Sequence, residues 1–306
     1  MDVMWWNRTA GGPDIGAPPL PAGRWIELPG RGTIFVRDTG GPSDRPVLLL
    51  LHGRAATADL NWWFCYQTLA KRFRVLAVDH RGHGRGMPVR GHFRLADCAD
   101  DAVAIADALG IERFVPVGYS MGGPIAQLIW HRNPERVEAL VLCATSRDFQ
   151  GSLRDWASFA VTPWLSLAAR VVPSSPLLSV TTKLLASRGA DEPYAAWMLR
   201  EFTSGEVPAI LEAASALGRF SSREWIGRVD VPVAVVATAS DSLVPLRRQV
   251  KLALAIPSAT LHVTEGDHYL SAADRDGFVT ALDDACTLVA RRARAGDHRR
   301  RSVLAN

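Results

Sequence analysis

Gly118-Tyr119-Ser120-Met121-Gly122 reads G-x-S-x-G. A serine hydroxyl is a weak nucleophile at neutral pH and becomes reactive only beside a base that an acid holds in place. The pentapeptide ends an apolar run, residues 113–117, and opens a helix-like stretch, so the pattern predicts a serine on a sharp strand-to-helix turn. Small residues on both sides let neighbouring backbone crowd such a turn. The helix N-terminus behind it directs free N–H groups toward the point where negative charge would develop.

The base is sought among eight histidines. His298 belongs to the basic C-terminal end and His131 to the far end of the helix after Ser120. His80, His83 and His92 occupy a glycine- and arginine-rich loop, and His262 falls inside an apolar run. His268 follows the last apolar run, in Glu265-Gly266-Asp267-His268-Tyr269, which puts it in a loop at the carboxyl edge of a sheet, where open α/β folds bind ligands. Asp241 leaves the end of the run 232–238 and is the first candidate for the orienting acid, with Asp148 the second. Asp267 adjoins the histidine too closely to fold back onto its ring. Leu51-His52-Gly53-Arg54 ends the first buried run, so the backbone N–H of Arg54 is expected to join that of Met121 as an oxyanion hole.

Continuous apolar runs at 47–51, 74–78, 114–117, 137–142, 232–238 and 259–263 have the pattern of strands buried on both faces. Helix-like stretches alternate with them at 60–72, 94–109, 121–132, 246–255 and 271–293, and Gly110 and Asn133-Pro134 mark two of their ends. Residues 24–28 and 33–38 flank Pro29-Gly30-Arg31-Gly32 as a hairpin. Strand alternating with helix gives an α/β fold with a mainly parallel, doubly wound sheet of about eight strands. The rhythm breaks over 146–228, a tryptophan- and phenylalanine-bearing stretch cut by prolines and read as a helical cap inserted into a core of 24–145 and 229–290. Residues 1–23 form an irregular leader, and 291–306 a basic disordered tail.

Taken together, Leu51-His52-Gly53, Asp79-His80-Arg81-Gly82-His83-Gly84, the G-x-S-x-G with Gly123, Ser240-Asp241-Ser242-Leu243-Val244-Pro245 and Gly266-Asp267-His268 resemble an α/β-hydrolase-fold serine esterase or lipase of the bacterial type. The resemblance runs over residues 47–270 in the family's order. It implies a carboxylic ester hydrolase working through Ser120, His268 and Asp241 and an acyl-enzyme, with no cofactor. The Asp79–Gly84 turn is structural in that family. Other activities on the same three residues stay open: acyl transfer, thioester or C–C hydrolysis, cofactor-free haloperoxidation, or a receptor that binds without turnover. Serine in place of a carboxylate nucleophile speaks against the epoxide-hydrolase and haloalkane-dehalogenase branches. Arg54 stands where the family often has a smaller residue, and its side chain could meet an anionic substrate group. Tyr119, Trp62, Trp63, Trp156 and Trp164 are expected to line an apolar acyl pocket for a small-molecule ester.

Composition sets the outer limits. The chain has 306 residues, 48% hydrophobic and 22% charged, which is ordinary for a globular protein. Its net charge of +4 misleads as a sign of nucleic-acid binding: residues 291–306 carry six arginines against Asp297, a net +5, which leaves 1–290 at −1. Weak contact of that basic end with an anionic surface remains an expectation. The four cysteines lie apart with no metal-ligand spacing, the histidines show none either, and no segment reads as a membrane span, so a cytoplasmic protein without metal is expected.

Overall fold

The computed structural model describes residues 16–149, 194–270 and 274–304. Strands β1 (Gly23–Leu28) and β2 (Gly32–Asp38) form the expected hairpin. Strands β3 (Val47–Leu51), β4 (Arg74–Val78), β5 (Val115–Tyr119), β6 (Leu140–Cys143), β7 (Val233–Thr238) and β8 (Ala259–Thr264) follow the apolar runs closely. All eight join one sheet in the order β1-β2-β4-β3-β5-β6-β7-β8. β2 runs antiparallel to β1 and β4, and β3 to β8 are parallel.

The side-chain alternation of the strands divides the core in two. Leu49 and Leu51 of β3 face one layer and Leu48 and Leu50 the other, each at most 1% exposed. Burying a leucine is worth about 1.5–3 kcal/mol, so a strand apolar at every position is driven to the middle of the sheet. On the first face lie α3 (Leu95–Ala108), α4 (Gly122–Arg132) and α7 (Leu246–Leu254). The second face carries α1 (Ala58–Trp62), α2 (Tyr66–Leu69) and α8 (Arg275–Leu304), the last through Phe278, Leu282, Cys286 and Val289. The single helix expected over 60–72 is two short ones. Helix α8 also continues through the residues expected to form a disordered tail; alanine and arginine, which dominate 290–301, are both strong helix formers.

Within the stretch between β6 and β7, α5 (Ala195–Thr203) and α6 (Val207–Arg219) are described, and α6 packs Ala213, Ala216 and Leu217 into the first layer beside Phe149 and Phe220. The rest of the expected cap, with Trp156 and Trp164, lies outside the described residues, as does most of the leader. Among the described residues no helix is long and apolar enough to cross a membrane. All four cysteines are buried and unpaired. After β3 the chain goes to β4 on one side of it and to β5 on the other, so a crevice opens where the carboxyl ends of β3 and β5 part.

Candidate active site

That crevice holds Ser120. Its φ is +50°, a left-handed value that a residue with a side chain rarely adopts, so the hydroxyl is held out from the turn by a strained backbone. The strain persists because the turn is tied on all sides: Ser120 N–H donates to the Cys143 carbonyl (2.9 Å), and Ser120 O accepts from Thr145 Oγ1 (2.8 Å) and Gly123 N–H (3.0 Å). The flanking glycines answer to crowding. A Cβ on Gly118 would lie 2.2 Å from the Gly122 carbonyl oxygen, one on Gly122 would lie 2.1 Å from the Leu51 carbonyl oxygen, and one on Gly123 would meet Thr145 Oγ1 at 2.2 Å.

His268 and Asp241 converge on this serine from the ends of β8 and β7. His268 Nε2 is 2.9 Å from Ser120 Oγ, and His268 Nδ1 is 2.7 Å from Asp241 Oδ2. With Nδ1–H donating to the carboxylate, Nε2 is left as the acceptor for the serine O–H. Asp241 is buried at 5% exposure, yet every lone-pair direction it uses has a donor: Leu243 N–H (2.9 Å) and Val244 N–H (2.7 Å) on Oδ1, and Thr238 Oγ1–H (2.9 Å) beside the histidine on Oδ2. Gln249 from α7 fixes the same loop, its Nε2 donating to the Val244 carbonyl (2.8 Å) and its Oε1 accepting from Thr238 N–H (3.2 Å). Tyr119 Oη–H donates to the His268 carbonyl (2.8 Å), anchoring the histidine loop to β5.

The loop after β3 faces the serine from the other side. A Cβ on Gly53 would come within 3.3 Å of Ser120 Cβ and 3.4 Å of Asn61 Oδ1, which accepts the Gly53 N–H at 2.9 Å. His52 is locked behind it: Nδ1 donates to the Gly53 carbonyl (2.7 Å) while Nε2 accepts the His80 N–H (2.8 Å). The N–H groups of Arg54 and Met121 donate to no acceptor among the described residues. The Arg54 side chain reaches water near Tyr269, with surrounding protein pulling its pKa below the usual arginine value and Tyr269 pulling the other way.

The remaining expected residues fall elsewhere. Trp62 and Tyr119 are buried in the second core layer, edge to face with each other at 6.0 Å, because the face of β5 that carries Tyr119 turns toward α1 and α8. Trp63 packs edge-on against Tyr194 and Trp197 at the start of the inserted helices. Asp148, the second candidate acid, pairs with Arg223 at 2.8 Å instead. The Asp79 turn is structural: Oδ1 takes the Ala58 N–H (2.6 Å) and Oδ2 the Arg85 N–H (2.8 Å). Thr238, Gln249, Asn61 and the hydroxyl of Tyr119 escaped sequence reasoning. Only the position of Thr238 at the end of a strand leading to Asp241 offered a signal.

A nucleophile-bearing turn, an imidazole and a buried carboxylate in series at a switch point have counterparts among known proteins. The family model described as alpha/beta hydrolase fold matches residues 46–272. A putative carbamate hydrolase, RutD, of Caulobacter sp. (strain K31) is 31% identical over 248 residues, covering 79% of this chain and 91% of the relative. A pimeloyl-[acyl-carrier protein] methyl ester esterase of Chromobacterium violaceum is 29% identical over 260 residues, covering 81% and 96%. Among solved structures, the enol-lactonase of Burkholderia xenovorans LB400 superposes with a TM-score of 0.73 at 23% identity, over 86% of this chain and all of that one. The chain therefore belongs to the alpha/beta hydrolase family, as an enzyme of that fold.

Proposed function

We propose that this chain is a serine hydrolase that cleaves carboxylic esters of small molecules through an acyl-enzyme. The observation that carries the reading is the hydrogen-bonded series from Asp241 through His268 to Ser120, at 2.7 and 2.9 Å. Ser120 Oγ attacks the ester carbonyl as its proton passes to His268 Nε2. The new imidazolium is stabilised by Asp241, and the oxyanion by the N–H groups of Arg54 and Met121. Collapse breaks the bond to the alkoxide, which takes the proton from His268 and leaves as the alcohol. Water, giving its proton to the same nitrogen, then attacks the acyl-serine and releases the acid. The series needs no cofactor.

The two relatives, one named for hydrolysis of a carbamate and one for that of a methyl ester, fit the same attack of serine on an acyl carbon. Four buried, unpaired cysteines suit a reducing cytoplasm. A series of p-nitrophenyl esters from acetyl to palmitoyl, run on the wild type and on Ser120→Ala, tests the reading. Turnover by the wild type with a loss of about 10⁴-fold or more in the variant is expected. A folded wild type silent across the series overturns it and directs attention to acyl transfer or C–C bond cleavage.

A further inference from the structure

Asp148 belongs to a second site. It stands where the chain leaves the sheet after β6, bridged to Ser221 on the returning segment, and its carboxylate is committed to Arg223 (2.8 Å) and Arg147 (3.8 Å). Beside it opens a cavity of about 440 Å³ whose lining includes Ser146, Arg147, Arg223, Arg247, Arg248 and Lys251. Five cations thus face one carboxylate, in a protein whose first 290 residues sum to −1. The concentration is local and is not a reflection of overall charge.

Three of the cations sit on α7: Arg247 and Arg248 in its first turn, which holds no acid, and Lys251 in its last. Arg247 and Lys251 are four residues apart, the spacing at which like charges on a helix repel, and Arg247 also stands near the helix end whose dipole is already positive. Neither has an ion-pair partner among the described residues. Arg248 donates to the Phe149 carbonyl (3.3 Å), and Asp148 holds Arg147 and Arg223. The like-charged pair on α7 costs stability that an anion entering the cavity repays. Guanidinium forks and an ammonium around one space match a tetrahedral oxyanion of more than one charge, and a single carboxylate would leave most of the charge unbalanced.

We propose that this cavity is a binding site for a phosphate-bearing ligand, either a free inorganic phosphate or diphosphate or the phosphorylated end of a substrate. The loop carrying Asp241 runs directly into α7, so the site shares the carboxyl edge of the sheet with the catalytic series while using none of its residues.

Isothermal titration calorimetry of the full chain with sodium diphosphate tests it without any need for turnover, so its outcome is independent of the ester-hydrolase reading. One-to-one binding that weakens as salt rises from 50 to 200 mM is expected. The double variant Arg247→Gln/Lys251→Gln should bind at least tenfold more weakly, and Lys251→Gln alone should fall between. Removing a repelling pair should leave the Tm of the double variant no lower than that of the wild type, which separates lost binding from lost folding. A variant with Arg299, Arg300 and Arg301 changed to Gln should bind as the wild type does. No binding by the wild type, undiminished binding by the double variant, or loss of binding in the C-terminal variant overturns the proposal. Comparing an acyl-coenzyme A with the same acyl group on N-acetylcysteamine then distinguishes the sources. A kcat/KM at least tenfold higher for the phosphorylated thioester, abolished in the double variant, assigns the phosphate to the substrate. Equal values, with diphosphate binding intact, assign it to a free ligand.

Discussion

Acidification from pH 7 to pH 5 should destabilise this protein through imidazoles that take no part in the chemistry. His52, His80 and His83 are buried together, with ring centroids 4.2 and 5.3 Å from His52, and Nε2 of both His80 and His83 has no partner. Burial lowers His52 from 6.5 to about 4 and His83 to about 3, and holds His80 well below its ordinary value. In the unfolded chain each takes up a proton near 6.5, so below that pH the unfolded state binds more protons and stability falls as pH falls. A pKa unit is worth 1.36 kcal/mol, so at pH 5 each of His52 and His83 costs about 2 kcal/mol. Both rings are still neutral in the folded protein at that pH, so repulsion between them does not enter and the two costs add to about 4 kcal/mol. Glu201 acts in the opposite direction. Burial raises its carboxyl from 4.5 to about 7, so charging it is unfavourable near neutrality. Its protonation on the way to pH 5 returns about 2 kcal/mol. The net loss is about 2 kcal/mol, with His80 adding to it. Urea titrations followed by circular dichroism at pH 7, 6 and 5 read this directly, and His83→Phe should flatten the dependence by about 2 kcal/mol over the interval. Stability that stays level or rises between pH 7 and 5, or a slope unchanged in the variant, refutes the reasoning.

Three further outcomes concern the site. Asp241→Asn presents an amide N–H to His268 Nδ1 and so favours the tautomer whose Nε2 carries a proton; kcat on a p-nitrophenyl ester should drop about 10³–10⁴-fold at neutral pH. Thr238→Val deletes the hydroxyl that donates to Asp241 Oδ2, and steady-state kinetics should show kcat lowered about 10-fold with KM little changed, a loss of about 1.4 kcal/mol. Gly122→Ala drives a methyl to 2.1 Å from the Leu51 carbonyl oxygen, part of a central strand that cannot retreat. A destabilisation of about 1–3 kcal/mol in urea titrations is expected, together with loss of ester turnover.

Residues that the chain repeats in a rhythm, or binds to fixed local geometry, could be read before folding. Val47–Leu51 and Arg74–Val78 coincide with β3 and β4 because a run of four or five apolar residues has no other place than a strand covered on both faces. Ser120 was legible for a related reason, since its glycines report a crowded turn. The supports of the site were not. Gln249 and Tyr119 act through hydrogen bonds to the Val244 and His268 carbonyls, which only folding brings near, and no spacing along the chain encodes that. The burial of Trp62 was not legible because an indole that fills a core and one that lines a cavity have the same local sequence. The basic C-terminal segment misled in a different way: charge suggested disorder, while alanine and arginine favour a helix.

The grip of Glu201 on Thr57 has one more consequence. Thr57 caps α1 with its hydroxyl oxygen, which accepts the Leu60 N–H at 3.0 Å, and gives its proton to Glu201 of α5 at 2.5 Å. The three residues before Thr57 include the Arg54 donor of the proposed oxyanion hole. Helix α5 of the insertion therefore holds the same short loop that carries the proposed oxyanion-hole donor. An exchange of this insertion for that of a relative would then retune turnover along with substrate choice. Selection acting on what the enzyme accepts would, through one carboxyl group, also act on how fast it works.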